Sequence, residues 1–142
     1  MTSICHTAAV GFYNPPPMKP SNHIEVRVDA CFLPEQSAPE QQRYVFAYTV
    51  HLHNRGEQAA RLISRHWVIT DENDQVREVR GEGVVGEQPL MQPGEGFEYT
   101  SGAVLETATG TMHGSYRMHG ADGTEFDAEI PAFVLTIPRV LH

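Results

Sequence analysis

Two stretches of strict alternation constrain this chain more than anything else in it. From His23 to Leu33, the residues Ile24, Val26, Val28, Ala30 and Phe32 fall on one side, and Glu25, Arg27 and Asp29 on the other. From Arg43 to His53, Tyr44, Phe46, Tyr48, Val50 and Leu52 are set against Val45, Ala47, Thr49, His51 and His53. A period of two sends alternate side chains to opposite faces, so both stretches read as strands with one face buried. Further strands are predicted at Ala60 to Thr70, Gln75 to Arg80, Gly96 to Leu105, Thr111 to His119 and Glu125 to Ile137. Turn chemistry separates them: Asn54-Arg55-Gly56-Glu57, Asp71-Glu72-Asn73-Asp74, Thr107 to Gly110, and Ala121-Asp122-Gly123. Ala60 to Thr70 shows apolar residues on both faces, which predicts a bulge near Ser64-Arg65. Pro131 places the last strand at an edge or on a bulge, with a switch of partner sheet as a further option. No helical spacing of useful length appears. Seven to eight short strands without an internal repeat predict an all-β antiparallel sandwich or barrel, with Trp67 as a core anchor.

A chain of 142 residues suits one domain with a core that needs neither disulfide nor metal. That domain is expected over 23–142. Residues 1–22 lack periodicity and contain Asn14-Pro15-Pro16-Pro17-Met18-Lys19-Pro20, so they read as a flexible proline-rich arm. The formal net charge of -8, with basic residues scattered singly, argues against nucleic acid and against a membrane surface as partner. No apolar run is long enough to span a bilayer and no leader pattern opens the chain, which makes a cytoplasmic location the expectation. Cys5 falls in the arm and Cys31 in a strand, so both are expected as reduced thiols.

The candidate site is the loop after the fourth predicted strand. Gly81-Glu82-Gly83-Val84-Val85-Gly86 has the G-x-G-x-x-G spacing of a dinucleotide-binding turn. That motif works by handing a pyrophosphate to a helix N-terminus, but Glu87-Gln88-Pro89-Leu90-Met91-Gln92-Pro93-Gly94 follows. Pro93 and Gly94 end any helix there, and Glu82 and Glu87 place negative charge where phosphate would lie. The residues singled out for contact with a ligand or partner are Gly81, Glu82, Gly83, Gly86, Glu87 and Gln88. Four apolar side chains within eight residues would be costly to leave wet, so Val84 and Leu90 are expected to pack on the sandwich.

Other constellations carry less. His51 and His53 share a strand face and could begin a metal site, with His66, His113 and His119 as candidate further ligands, but two exposed histidines are the plainer reading. Ser64, His66 and Asp71 are the elements of a hydrolase triad without its nucleophile elbow or oxyanion loop. Glu78, Glu82 and Glu87 read as a solvated acidic loop. No catalytic residue, metal ligand or cofactor is assigned.

The strings Ser64 to Asp71 (SRHWVITD), Val79 to Pro89 (VRGEGVVGEQP), Pro93 to Gly102 (PGEGFEYTSG), Gly114 to Tyr116 (GSY) and Ile137 to His142 (IPRVLH) resemble the bacterial ApaG family. The family is also called CorD, and related domains occur in eukaryotic F-box and polymerase-interacting proteins. The resemblance covers residues 20–142. It implies a fibronectin type III-like, that is immunoglobulin-like, β-sandwich. It also implies a gene neighbourhood shared with a diadenosine tetraphosphate hydrolase and an rRNA dimethyladenosine methyltransferase, and a link to cobalt and magnesium handling, with no settled enzymatic activity. The expected function is a non-enzymatic binding module, monomeric or weakly dimeric, that docks a protein or small ligand through loops or a sheet edge. The alternatives are binding of diadenosine tetraphosphate or another pyrophosphate, and divalent-metal handling.

Overall fold

The computed structural model of the chain describes residues 4–10 and 22–138. Its strands are β1 (Ile4–Val10), β2 (Ile24–Phe32), β3 (Tyr44–Asn54), β4 (Ala60–Asp71), β5 (Val76–Glu82), β6 (Leu90–Met91), β7 (Gly96–Leu105), β8 (Thr109–Gly120) and β9 (Glu125–Thr136). One sheet runs β1-β2-β3-β7 and the other β5-β4-β8-β9, with β6 also paired to β4. Every pairing is antiparallel. The result is a two-layer sandwich, the one of the two architectures left open by the alternation that the family resemblance implies.

Both alternating stretches keep their phase. Val28 and Val50 lose all contact with solvent, while Asp29 and His51 stand on the outer face. Between the sheets Trp67 packs edge-on to Tyr48 of the facing sheet, at 5.2 Å between ring centroids. It also meets Phe133 at 5.9 Å and Tyr116 at 6.3 Å, both from its own sheet. The bulge in β4 falls between Leu62 and Ser64, at Ile63, one residue before the predicted position. It shifts the phase, so Leu62 points inward before it, and Trp67 and Ile69 after it. Pro131 lies on β9 opposite an irregularity between Met112 and Gly114, and among the described residues β9 pairs with β8 and does not change sheets.

Two expectations need correction. Residues 4–10, expected within a flexible arm, form β1 and pair with β2 from Ile4 opposite Phe32 to Val10 opposite Arg27. The proline-dense run at 14–20 lies outside the described residues. Cys31 is disulfide-bonded rather than a reduced thiol. The chain has one other cysteine, Cys5, and β1 sets it directly opposite Cys31. Opposed positions of an antiparallel pair are about 4.5–5.5 Å apart at Cα, within the span a disulfide bridges. Among the described residues no helix is long and apolar enough to cross a membrane.

Candidate functional site

The glycine loop is bolted to β4, and the β4 bulge supplies the bolt. A bulged residue leaves the ladder with unpaired backbone groups, and the carbonyl of Ile63 accepts from Gly83 N at 2.8 Å and from Gln88 Nε2 at 2.9 Å. Arg65 adds a clamp, its Nη1 donating to the carbonyls of Glu82 (3.0 Å) and Gly83 (2.9 Å). Arg61 Nη1 donates to Gln88 O at 2.8 Å, and Leu62 N to Pro89 O at 3.0 Å. At the far end Asn54, buried at 1% exposure, holds Met91 O and Gln58 O through Nδ2 and Gly56 N through Oδ1. Neither Arg65 nor Asn54 was singled out from sequence. The signal for Arg65 is a charged residue at the inward phase just after a suspected bulge. For Asn54 it is an amide residue at the end of an alternating strand.

Each glycine of the motif has its own reason. A side chain at Gly81 would meet the Arg65 guanidinium, with Cζ 2.7 Å from the position of a Cβ. Gly83 has φ +64, and a Cβ there would lie 2.3 Å from Glu87 O. Gly86 has φ +80 and open space around it. Val84 and Glu87 exchange two backbone hydrogen bonds, Val84 N to Glu87 O at 2.8 Å and Glu87 N to Val84 O at 2.9 Å. That closes a two-residue turn on Val85 and Gly86, both with positive φ, the type I′ pattern. The amides of Gly83, Val84 and Glu87 are thus already engaged, so they offer no cradle for a phosphate. A two-residue strand, not a helix, follows the motif.

The six predicted contact residues stay together on this loop. Glu82, Gly86, Glu87 and Gln88 are exposed, Gly81 is half-buried, and Gly83 is buried beneath the turn. Val84 packs into the core at 1% exposure, but Leu90 remains 47% exposed and Met91 is buried in its place. The reason is β6: its two residues alternate, so only one can face inward, and Met91 opposite buried Ala60 is that one. Val85, at the tip, is 56% exposed with φ 43. Positive φ in a β-branched residue is a backbone outlier.

The histidine and triad constellations disperse. His51 and His53 lie on the outer face of one sheet, and His66, His113 and His119 belong to the other. His51 lies between two carboxylates, Nε2 to Asp29 Oδ2 and Nδ1 to Glu98 Oε2, both at 2.9 Å. His53 Nε2 faces Gly94 O at 3.1 Å. His66 Nε2 meets Glu78 Oε1 at 2.7 Å, so Glu78 belongs to the sheet face and not to the loop rim. Asp71 is occupied in its turn, its Oδ1 accepting from Asn73 N and Gln75 N. Among the described residues no three His, Cys, Asp or Glu are grouped to hold a metal ion. Behind the loop, Tyr48, Tyr99 and Tyr116 form a polar cluster in the core. Burial pushes the pKa of each phenol up, with Arg65 close enough to oppose the shift in all three.

The family model of the ApaG domain matches residues 34–120 of this chain. Proteins named ApaG from Azoarcus sp. and Dechloromonas aromatica are 63% and 62% identical to it over 119 residues, covering 84% of this chain and 94% of theirs. A crystal structure of an ApaA protein from Bordetella pertussis superposes with a TM-score of 0.83 at 53% identity, covering 87% of this chain and 100% of that one.

Proposed function

This chain belongs to the ApaG family, and on that premise we propose that it is a non-enzymatic binding module. Its contact surface is the loop 81–94, with Val85 as the apolar tip and Glu82, Glu87 and Gln88 as an acidic and polar rim. The observation that carries the reading is Val85 itself. A β-branched residue in the left-handed region costs roughly 1–3 kcal/mol of backbone strain, and Val85 offsets little of it by burial, being 56% exposed. The turn is held in this state by the Ile63, Arg61 and Arg65 anchors. A rigid scaffold presenting an exposed apolar tip suits a protein partner, whose pocket would desolvate it.

The test compares capture of partners from native cell extract by the wild type, Val85→Asp and Glu87→Lys. The expected result is a partner held by the wild type and lost by both variants, with unfolding midpoints unchanged. Equal capture by all three would remove the loop from the contact. Saturable amide shifts at Gly81, Gly83 and Gly86 on adding a nucleotide would replace the reading with nucleotide binding.

A further inference from the structure

A second surface lies on the outer face of the β5-β4-β8-β9 sheet, where a groove of about 530 Å³ crosses four strands. Strand register explains its shape. Glu82, Ser64, Arg117 and Asp127 form one row across the sheet, and Arg80, His66, Ser115 and Glu129 form the next. The two serines make a low floor, and the longer Arg80, His66 and Arg117 make the walls. Adjacent strands are about 4.8 Å apart; Arg80 is directed along β5 toward Glu78 and Arg117 across to Asp127 of β9, so the two guanidinium groups flank the serines and do not cover them.

The arginines here differ from the others on this sheet. Arg61, Arg65 and Arg77 each donate to a backbone carbonyl at 3.0 Å or less. Among the described residues Arg80 and Arg117 make no such bond. Their contacts are single approaches of 3.5 Å, Arg80 Nη2 to Glu78 Oε1 and Arg117 Nε to Asp127 Oδ1. Exposed pairs of that length hold little. Most of the guanidinium donors, five on each arginine, are therefore free, and neither serine hydroxyl has a protein partner among the described residues. Arginine forks match a planar or tetrahedral oxyanion in bidentate fashion. Three of the chain's ten basic residues line this groove, in a protein of net charge -8. Glu82, Asp127 and Glu129 sit at row ends and Glu78 lies against His66 and Arg80, so a ligand with a second or third negative group would meet repulsion on every side.

We propose that this groove binds a single oxyanion, a phosphate monoester or a carboxylate, with Arg80 and Arg117 as forks and Ser64 and Ser115 as floor donors. The acidic row ends select ligands whose remainder is neutral or cationic, and turn away polyphosphates. This site adjoins the loop contact and shares Glu82 with its rim, but its donors lie on the sheet face and do not involve Val85.

The experiment is an amide-shift titration of the full chain at constant ionic strength with inorganic phosphate, acetate and tripolyphosphate in separate arms. Saturable shifts at Ser64, His66, Arg80, Ser115 and Arg117 are expected with phosphate or acetate, and the arm that saturates identifies the oxyanion. Arg80→Gln and Arg117→Gln should each weaken binding about tenfold or more, the value of a lost charge-assisted hydrogen bond, and the double variant should not saturate. Linear shifts with both phosphate and acetate, or affinity unchanged in the double variant, would overturn the site. Tripolyphosphate binding more tightly than phosphate would overturn the ligand class.

Discussion

The hydroxyls of Tyr99 and Tyr116 share a hydrogen bond through the middle of the sandwich, one tyrosine from each sheet. It gives two otherwise apolar inner faces a polar point of registration. Tyr99 also has the Trp67 indole as a polar neighbour, and Tyr48 stands opposite Ser101 in the β3–β7 register. A buried hydroxyl that loses its partner keeps its full desolvation cost, whereas removing both partners together leaves little unsatisfied.

Tyr116→Phe and Tyr99→Phe should therefore each cost roughly 1–3 kcal/mol. Each substitution strands the hydroxyl of the other tyrosine. The double variant should be markedly less destabilised than the sum. Urea melts of the four proteins complete the cycle, and additive losses would mean the two hydroxyls are not coupled.

The same cluster predicts an alkaline limit. The folded chain raises the pKa of Tyr48, Tyr99 and Tyr116, chiefly by burial. The folded state then keeps its phenol protons at a pH where the unfolded chain releases them. Stability is full below about pH 10, the ordinary tyrosine value, and falls as pH rises beyond it. Phenolate absorbance of these three should appear together with loss of tertiary structure. Ionisation of all three in a chain that stays folded would contradict their burial.

Trp67→Ala should cost roughly 3–5 kcal/mol, since the indole is enclosed by rings from both sheets and its removal leaves a cavity. A loss below about 1 kcal/mol would mean that the core closes over the gap.

How much of this was legible beforehand depends on the range of each interaction. The period of two in β2 and β3 is local, and it disclosed the strands and their buried faces, which leaves a sandwich or a barrel; the resemblance to a known family chose the sandwich. The bulge in β4 also left a local trace, a change of phase, and was located within one residue. What it does could not be read, because the Ile63 carbonyl meets Gly83 and Gln88 only after the chain has turned back. The pairing of β1 with β2 is long-range too: nothing between residues 11 and 21 announces that Cys5 will return opposite Cys31. The glycine spacing was read correctly as a pattern. Its explanation lay in Arg65 and in the turn at Val85, which spacing alone does not contain.

The glycines give the sharpest separation of scaffold from site. At Gly114, opposite Trp67 in the β4–β8 register, a Cβ would stand 2.0 Å from the His66 carbonyl oxygen. That neighbour is backbone in a central strand pair and cannot swing aside, so Gly114→Ala must part the strands. It should be the most damaging of the series, with a loss of about 3 kcal/mol or more. Gly83→Ala combines positive φ with a clash at Glu87 O, also backbone, and should cost about 1–3 kcal/mol while distorting the turn. Gly81→Ala differs in kind, because the obstructing atoms are the end of the Arg65 side chain, which can move. The fold should survive with a loss under about 1 kcal/mol, but Arg65 would release the carbonyls of Glu82 and Gly83. Denaturant midpoints should therefore rank Gly114→Ala below Gly83→Ala below Gly81→Ala. Amide exchange at Val84 and Glu87 should quicken in Gly81→Ala while exchange in β8 does not change. A Gly114→Ala chain as stable as the wild type would show that β4 and β8 do not approach as closely as the register here requires.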